Sequence, residues 1–200
     1  MLNRSIFRNV LAVACFLVLG AGAAAADGIN WTYVEAGYLG VDINDIGGTT
    51  FDGTGDNIYL GGAFGLKSIH ILGQYANGEA ATNVDLTEWQ LGVGWHGLLG
   101  EKADLLGEVH YLDTEYKYTV TNAKLSESGY KLDVGVRWRP IGLFEVNGYI
   151  NYYGTDAYEG SETSVELRAI LQVWRIGIGA TYEKASDIDQ YTGFVRFNFK

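Results

Sequence analysis

Three histidines and one glutamate are the residues of this chain with the clearest potential for acid–base chemistry. His110 follows Glu108 by two residues, while His70 and His96 lie earlier in the sequence. Side chains two residues apart point to the same face of a β-strand, so Glu108 could orient His110 as a general base. A metal site would require ligands that converge on one ion. The histidines are scattered without metal-ligand spacing, which argues against a specific metal site.

An acidic segment near the N-terminus is the second group of candidate ligands. Asp42, Asp45, Asp52 and Asp56 could offer oxygen ligands to Ca²⁺, but their spacing matches no EF-hand loop. A solvated acidic loop is the simpler interpretation. No predicted inward serine stands beside a histidine, so a lipase-like dyad is unsupported. We therefore predict no catalytic, cofactor-binding or metal-binding residue, and we predict that the chain is not an enzyme.

The elements that would position these residues are strands with one apolar and one charged face. Between Tyr130 and Arg139, apolar side chains alternate with Lys131, Asp133 and arginines. This period of two is typical of a β-strand, and it recurs along the chain. The pattern predicts ten strands: Trp31–Val41, Asn57–Gly65, Ile69–Asn77, Leu86–His96, Asp104–Leu112, Gly129–Arg139, Phe144–Tyr153, Ser164–Val173, Arg175–Glu183 and Tyr191–Phe199.

Connections between the predicted strands alternate in length, as in outer-membrane barrels with long extracellular loops. The long connections are 42–56, 78–85, 113–128, 154–163 and 184–190. The short ones are 66–68, 97–103, 140–143 and 174, and Pro140 is predicted to lie in the third short turn. The 113–128 segment keeps alternating, which predicts a hairpin that projects beyond the membrane.

Aromatic residues on the apolar face segregate to the two ends of the predicted strands. At the long-loop end the sequence places Tyr38, Tyr75, Tyr111, Tyr130, Tyr152, Tyr182 and Tyr191. At the short-turn end it places Phe64, Trp95, Trp138, Phe144 and Phe199. Amphipathic rings favour the membrane–water interface, and two such girdles are typical of membrane barrels. A soluble periplasmic sandwich, the alternative for these strands, has no reason to segregate its aromatics.

The N-terminus is typical of an export signal. Arg4 and Arg8 precede the apolar segment Val10–Leu19, and the small residues Ala24–Ala26 supply a cleavage site. We predict a signal peptide over 1–26 and one barrel domain over 27–200. The single cysteine, Cys15, would leave with the signal peptide, so the exported chain would have no disulfide.

Charge is distributed unequally between the predicted loops and the predicted interior. The chain has a net charge of −10 at pH 7, and most acids fall in the long loops. The predicted inward acids are Glu35, Glu88, Glu108, Asp133, Glu145, Glu166 and Glu183, and the predicted inward bases are Lys131, Arg137, Arg139, Arg168, Arg175 and Arg196. Near-neutrality indicates a lumen filled by ion pairs, because buried charges are costly unless paired. No basic surface is available for nucleic acid.

The last predicted strand, Tyr191–Phe199, alternates aromatic or apolar residues and resembles the C-terminal signal by which outer-membrane barrels are recognised for assembly. The exported chain resembles the small outer-membrane β-barrel superfamily that includes OmpA, OmpX and Ail. Its segments Tyr33–Tyr38, Gly73–Tyr75 and Leu91–Trp95 are similar to a proteobacterial barrel group once discussed in relation to quorum signals. Lys200 departs from the usual terminal aromatic. The resemblance implies surface, adhesion or envelope-integrity roles and transfers no site residue.

These observations predict an all-β protein of the cell outer membrane, an antiparallel transmembrane β-barrel of ten strands with eight as the alternative. We predict a monomer with a structural and surface-interaction role. Its expected partners are outer-membrane lipid, lipopolysaccharide and the barrel-assembly machinery, which would bind the C-terminal strand. A narrow porin-like channel for small solutes is the second functional interpretation, because inward glycines could free space in the lumen. An outer-membrane hydrolase is the third.

Overall fold

Ten antiparallel strands form one closed barrel in the computed structural model, which describes residues 29–43, 53–155, 161–186 and 188–199. This confirms the prediction of ten strands rather than eight. The strands are β1 Tyr33–Ile43, β2 Gly53–Leu66, β3 Ile69–Ala81, β4 Val84–Leu98, β5 Ala103–Tyr118, β6 Lys124–Ile141, β7 Phe144–Thr155, β8 Ser161–Val173, β9 Ile176–Lys184 and β10 Ile188–Asn198. Among the described residues, no helix is long and apolar enough to cross a membrane. The predicted signal peptide, with Asp45 and Asp52, lies outside the described residues.

The barrel closes because its first strand pairs with its last. β1 and β10 stay in register from Tyr33 opposite Asn198 to Ile43 opposite Ile188. Every other neighbour in the barrel is also a neighbour in sequence. No strand edge is therefore left unpaired, which is the condition for placing a sheet in hydrocarbon.

The outward face of the barrel is an apolar band. Val134 is 56% exposed although it lies in the middle of β6, and similar exposed side chains occur on the other strands. They include Ile58, Leu60, Leu91, Val93, Ile150, Leu167, Leu171, Ile178 and Val195. A continuous apolar surface of this kind is stable against lipid and not against water.

Aromatic girdles lie at the two edges of this band, as the sequence predicts. Near the end that carries the β5–β6 hairpin, hereafter the outer end, Trp89 packs against Tyr111 with the two rings tilted and their centroids 5.3 Å apart. Tyr111 is the register partner of Tyr130, and Tyr182 lies 5.1 Å from Tyr191. At the opposite, inner end, Phe197 and Phe199 meet edge to face at 5.4 Å.

Two hairpins at the outer end test the predicted loops, and one of them differs from its prediction. The β5–β6 hairpin extends pairing to Lys117 opposite Lys124, so the predicted projection is confirmed. The predicted long loop 78–85 is wrong, because pairing of β3 with β4 continues to Ala81 opposite Val84. Asn83 adopts a positive φ of 66° in the resulting tight turn, a conformation that asparagine tolerates better than most residues.

Pro140 does not lie in a turn, which corrects the prediction for the 140–143 connection. It belongs to β6, where the register with β7 shifts between Trp138 and Ile141. Proline lacks the N–H that ladder pairing requires, so an irregularity of this kind is where a strand can contain it. Its carbonyl oxygen accepts a hydrogen bond of 2.9 Å from Lys102 Nζ.

Val134→Arg should prevent insertion of the barrel into membranes. An arginine at this lipid-facing position costs about 2–4 kcal/mol at mid-membrane. Ser126→Arg is the matched control, since Ser126 lies on the same face of β6, is exposed, and sits beyond the outer girdle. Recovery of each variant in the outer-membrane fraction, with the heat-modifiable gel mobility of an intact barrel, measures the effect. Equal recovery of both variants would mean that the outward face of β6 does not contact lipid.

Candidate functional site

The lumen holds the charged side chains, and the first cluster of ion pairs surrounds Glu35. Glu35 Oε2 lies 2.6 Å from Arg168 Nη2 and 2.9 Å from Arg196 Nη2. Both guanidinium groups also stack on rings, Arg196 on Tyr33 at 3.8 Å and Arg168 on Phe194 at 4.0 Å. The three charged residues come from β1, β8 and β10, so the cluster joins strands across the interior.

A second ion pair lies closer to the inner end. Arg137 donates hydrogen bonds to Glu145 Oε1 from Nε at 3.0 Å and from Nη2 at 2.7 Å. Asn147 donates to the same oxygen at 3.1 Å. Arg196 Nη1 lies 3.7 Å from that oxygen, which connects this pair with the Glu35 cluster. The inner half of the lumen is thus one continuous network.

Trp31 closes the inner end of the network. Its ring stacks on His96 at 4.0 Å and on His70 at 4.4 Å, and Arg137 lies 4.2 Å from its centroid. The indole Nε1 donates a 3.0 Å hydrogen bond to Asp104 Oδ2. Trp31 precedes β1 and lies inside the barrel, so its predicted place in the first strand is wrong.

Two further charged residues differ from the sequence-based assignment. Arg175, predicted to point inward from the ninth strand, is exposed in the turn before β9 and lies 5.3 Å from the Trp174 ring. Asp104 is fully buried, although it is not among the acids that the sequence predicts to point inward. Both positions lie at strand ends, where alternation no longer determines the direction of a side chain.

All three histidines point into the lumen, and the barrel brings them together. His70 Nδ1 lies 3.1 Å from His96 Nδ1, and His70 Nε2 lies 2.7 Å from Glu108 Oε1. His110 Nε2 lies 3.3 Å from Glu108 Oε2 and 3.0 Å from Asp133 Oδ2. β3, β4 and β5 are neighbours in the sheet, which sequence distance conceals. The connected polar side chains are hereafter the histidine cluster, which consists of His70, His96, Glu108, His110 and Asp133.

Gly94 makes the histidine cluster possible. It is the register partner of His70 on one side and of Glu108 on the other. A Cβ at Gly94 would collide with the His70 imidazole and lie 2.8 Å from Glu108 Cγ. Without a side chain on the intervening strand, His70 and Glu108 can hydrogen-bond across β4.

Glu183 organises the lumen nearer the outer end. Its Oε1 accepts hydrogen bonds from Tyr153 at 2.7 Å, from Asn151 at 3.1 Å and from the Ser164 hydroxyl. Glu166 is its direct partner on β8. Ser164 is therefore engaged by a carboxylate and an amide, and this contact pattern is not that of a serine–histidine dyad.

The outer surface beyond the girdle is polar and acidic. A cleft of about 450 Å³ is lined by Asn77, Gly78, Glu79, Asp85, Thr87, Glu115 and Lys117. Glu115 pairs with Lys124 at 2.8 Å on the same surface. On the far side of the barrel, hydrogen bonds from Tyr182 at 2.7 Å and Lys184 at 3.1 Å hold the pKa of Asp189 below its ordinary value.

Comparison with known proteins supports the fold. No protein-family model and no curated protein matches the chain. The β domain of the Bordetella autotransporter BrkA is similar over 84% of this chain and 99% of its own, at 10% identity and a TM-score of 0.53. The translocator domain of the autotransporter NalP from Neisseria meningitidis is similar over 98% of this chain and 96% of its own, at 10% identity and a TM-score of 0.50.

Ail of Yersinia pestis, from the superfamily that the sequence resembles, is similar over 83% of this chain and 97% of its own, at 14% identity and a TM-score of 0.37. The BrkA and NalP likenesses show the fold, that of an outer-membrane β-barrel. Combined with the apolar outward face and the two girdles, this fold places the chain in the outer membrane, as the sequence predicts.

Arg196→Ala should strongly destabilise the barrel. The substitution removes a buried cation that Glu35 and Glu145 share, and breaking a buried pair costs about 3–5 kcal/mol. Arg175→Ala is the matched control, because an exposed arginine in a turn contributes less than about 0.5 kcal/mol. The free energy of unfolding in urea, measured for detergent-solubilised protein, gives the difference. Similar values for the two variants would contradict the Glu35 cluster.

Gly94→Ala should also destabilise the barrel, by about 1–3 kcal/mol, because its Cβ overpacks the histidine cluster. Gly193→Ala is the control, since Gly193 faces outward and a Cβ there meets no atom within 4 Å. The temperature at which the folded band disappears from unboiled gels measures both variants. An unchanged temperature for Gly94→Ala would mean that His70 and Glu108 do not approach each other across β4.

Proposed function

We propose that this chain is a structural outer-membrane barrel with a closed lumen and an acidic outer end that makes surface contacts. The observation that carries the proposal is the ion-paired network across the interior. Glu35 on β1 binds arginines on β8 and β10, and Arg137 binds Glu145. Groups paired at hydrogen-bonding distance across a lumen occupy the space that a solute would need.

The inward glycines support a closed lumen rather than a channel. A Cβ at each of several glycines would meet a large side chain already packed against the wall. The pairs are Gly37 with Tyr59, Gly135 with Tyr149, and Gly179 with Phe194. Tyr59, Phe194, Ala76 and Ile170 form a buried apolar cluster. These glycines therefore accommodate rings from inside the barrel, and the space that they free is filled.

The outer end supplies the surface for contacts. The β5–β6 hairpin continues beyond the girdle, and its Glu115 and Lys117 line the polar cleft. In our proposal, lipopolysaccharide is the partner at the level of the girdle, and adhesion-type contacts form on the projecting hairpins. A polar rim above an aromatic girdle is suited to headgroups and the aqueous medium.

The C-terminal strand is the proposed recognition element for the barrel-assembly machinery. Along β10, Tyr191, Val195 and Phe197 point outward together with Phe199 just beyond the strand. This row of apolar groups is available on the surface before closure and faces lipid afterwards. Because β1 of the same chain pairs with β10, closure requires no second copy, and we propose that the protein is a monomer.

Planar-bilayer recording should show no discrete openings for the wild-type protein. The Tyr59→Ala/Phe194→Ala double variant removes two rings of the apolar cluster and should conduct, because their volume would be replaced by water. Retention of heat-modifiable mobility in the same vesicles verifies that both proteins are folded and inserted. Reproducible openings of the wild type would favour the narrow channel and overturn the closed-lumen proposal.

A further inference from the structure

Glu108, His110 and Asp133 present one imidazole nitrogen and two carboxylate oxygens that all lie within 4.8 Å of one another. His110 is 8% exposed and Asp133 is 4% exposed. We propose that these three residues bind a divalent first-row transition-metal ion inside the lumen, with Zn²⁺ as the test ion. Mixed imidazole and carboxylate ligands suit Zn²⁺, and three protein ligands leave a position for water. The proposal is independent of whether the lumen conducts.

The register of the sheet builds this site on rigid elements. Glu108 on β5 and Asp133 on β6 are direct register partners. His110 lies two residues further along β5 and therefore on the same inward face. Ligands held by adjacent strands keep their spacing better than ligands held by loops, which favours one defined geometry.

The histidine cluster supplies the outer support that a metal ligand needs. His70 Nε2 engages Glu108 Oε1 at 2.7 Å, which leaves Oε2 to face His110 at 3.3 Å. His70 is in turn held by His96 and by the ring of Trp31. Hydrogen bonds of this type orient ligating carboxylates and tune their basicity.

A second observation is that one buried carboxylate oxygen of the site has no hydrogen-bond partner. Asp133 Oδ1 is buried without a hydrogen-bond partner, while Oδ2 of the same carboxylate contacts His110 and Lys131. Burying a carboxylate oxygen without a hydrogen-bond partner costs free energy.

Lys131 is the competitor for the metal. Its Nζ lies 3.2 Å from Asp133 Oδ2 and 5.4 Å from the centre of the Tyr153 ring. Tyr153 donates a hydrogen bond to Glu183, so a second carboxylate is close to the displaced ammonium group. When the metal binds the Asp133 carboxylate, the Lys131 ammonium group can move toward Glu183 and pair with that carboxylate.

The test uses protein purified from outer membranes in detergent and treated with chelator. Isothermal titration with Zn²⁺ should show one site, and Co²⁺ should produce visible absorption bands of a low-symmetry site in the wild type. His110→Gln and Asp133→Asn should each weaken Zn²⁺ binding by about 10–100-fold or more. Glu115→Gln is the control, a partly exposed acid that lies outside the lumen, and this variant should bind Zn²⁺ as the wild type does.

Lys131→Met gives a test that does not depend on loss of binding. It removes the competing ammonium while retaining an unbranched side chain, and it should tighten Zn²⁺ binding about tenfold. Heat-modifiable mobility verifies that each variant is folded. Absence of Co²⁺ bands in the folded wild type, or Zn²⁺ binding that His110→Gln and Asp133→Asn leave unchanged, would overturn the proposal. The first result would mean that the three residues form only a hydrogen-bonded network. The second would mean that acids on the surface bind the metal.

Discussion

Pairing of β1 with β10 is the constraint on which the rest of the molecule depends. In hydrocarbon an unpaired backbone N–H or C=O costs several kcal/mol, so a sheet can enter a membrane only when it has no edge. The register from Tyr33 opposite Asn198 to Ile43 opposite Ile188 removes both edges along the full length of β1. Closure then divides one alternating sequence into a lipid-facing surface and an enclosed interior.

Enclosure changes the physics of the charged face. On an open sheet, Glu35 and Arg196 would be solvated and their attraction weak. Inside the barrel they are desolvated, so each must find a partner of opposite charge at short distance. Arg196 forms ion pairs with both Glu35 and Glu145, and Arg168 forms a second ion pair with Glu35. The pairing of these interior charges is thus a consequence of closure, as is the packing of rings against glycines.

Most of the fold could be predicted from the sequence because two signals are local. A period of two identifies the strands, and aromatic girdles identify their ends. The errors fall where neither signal applies. Arg175 lies in a tight turn, Asp104 at the start of β5, and Trp31 before β1, so the path of the chain at the rim determines where each side chain points. The prediction of a long loop over 78–85 is wrong because pairing continues past the girdle, where no aromatic marks the strand end.

The histidine cluster shows what alternation leaves undetermined. The sequence places Glu108 and His110 on one face, and it places Asp133 inward, but only the register makes Glu108 and Asp133 partners. Contact between Glu108 and His70 requires a further condition. The residue that lies between them on the intervening strand must have no side chain. Gly94 meets that condition. In a narrow barrel, an inward glycine flanked by polar residues on both neighbouring strands therefore indicates contact across a strand, and this signal is present in the sequence once the strand order is known.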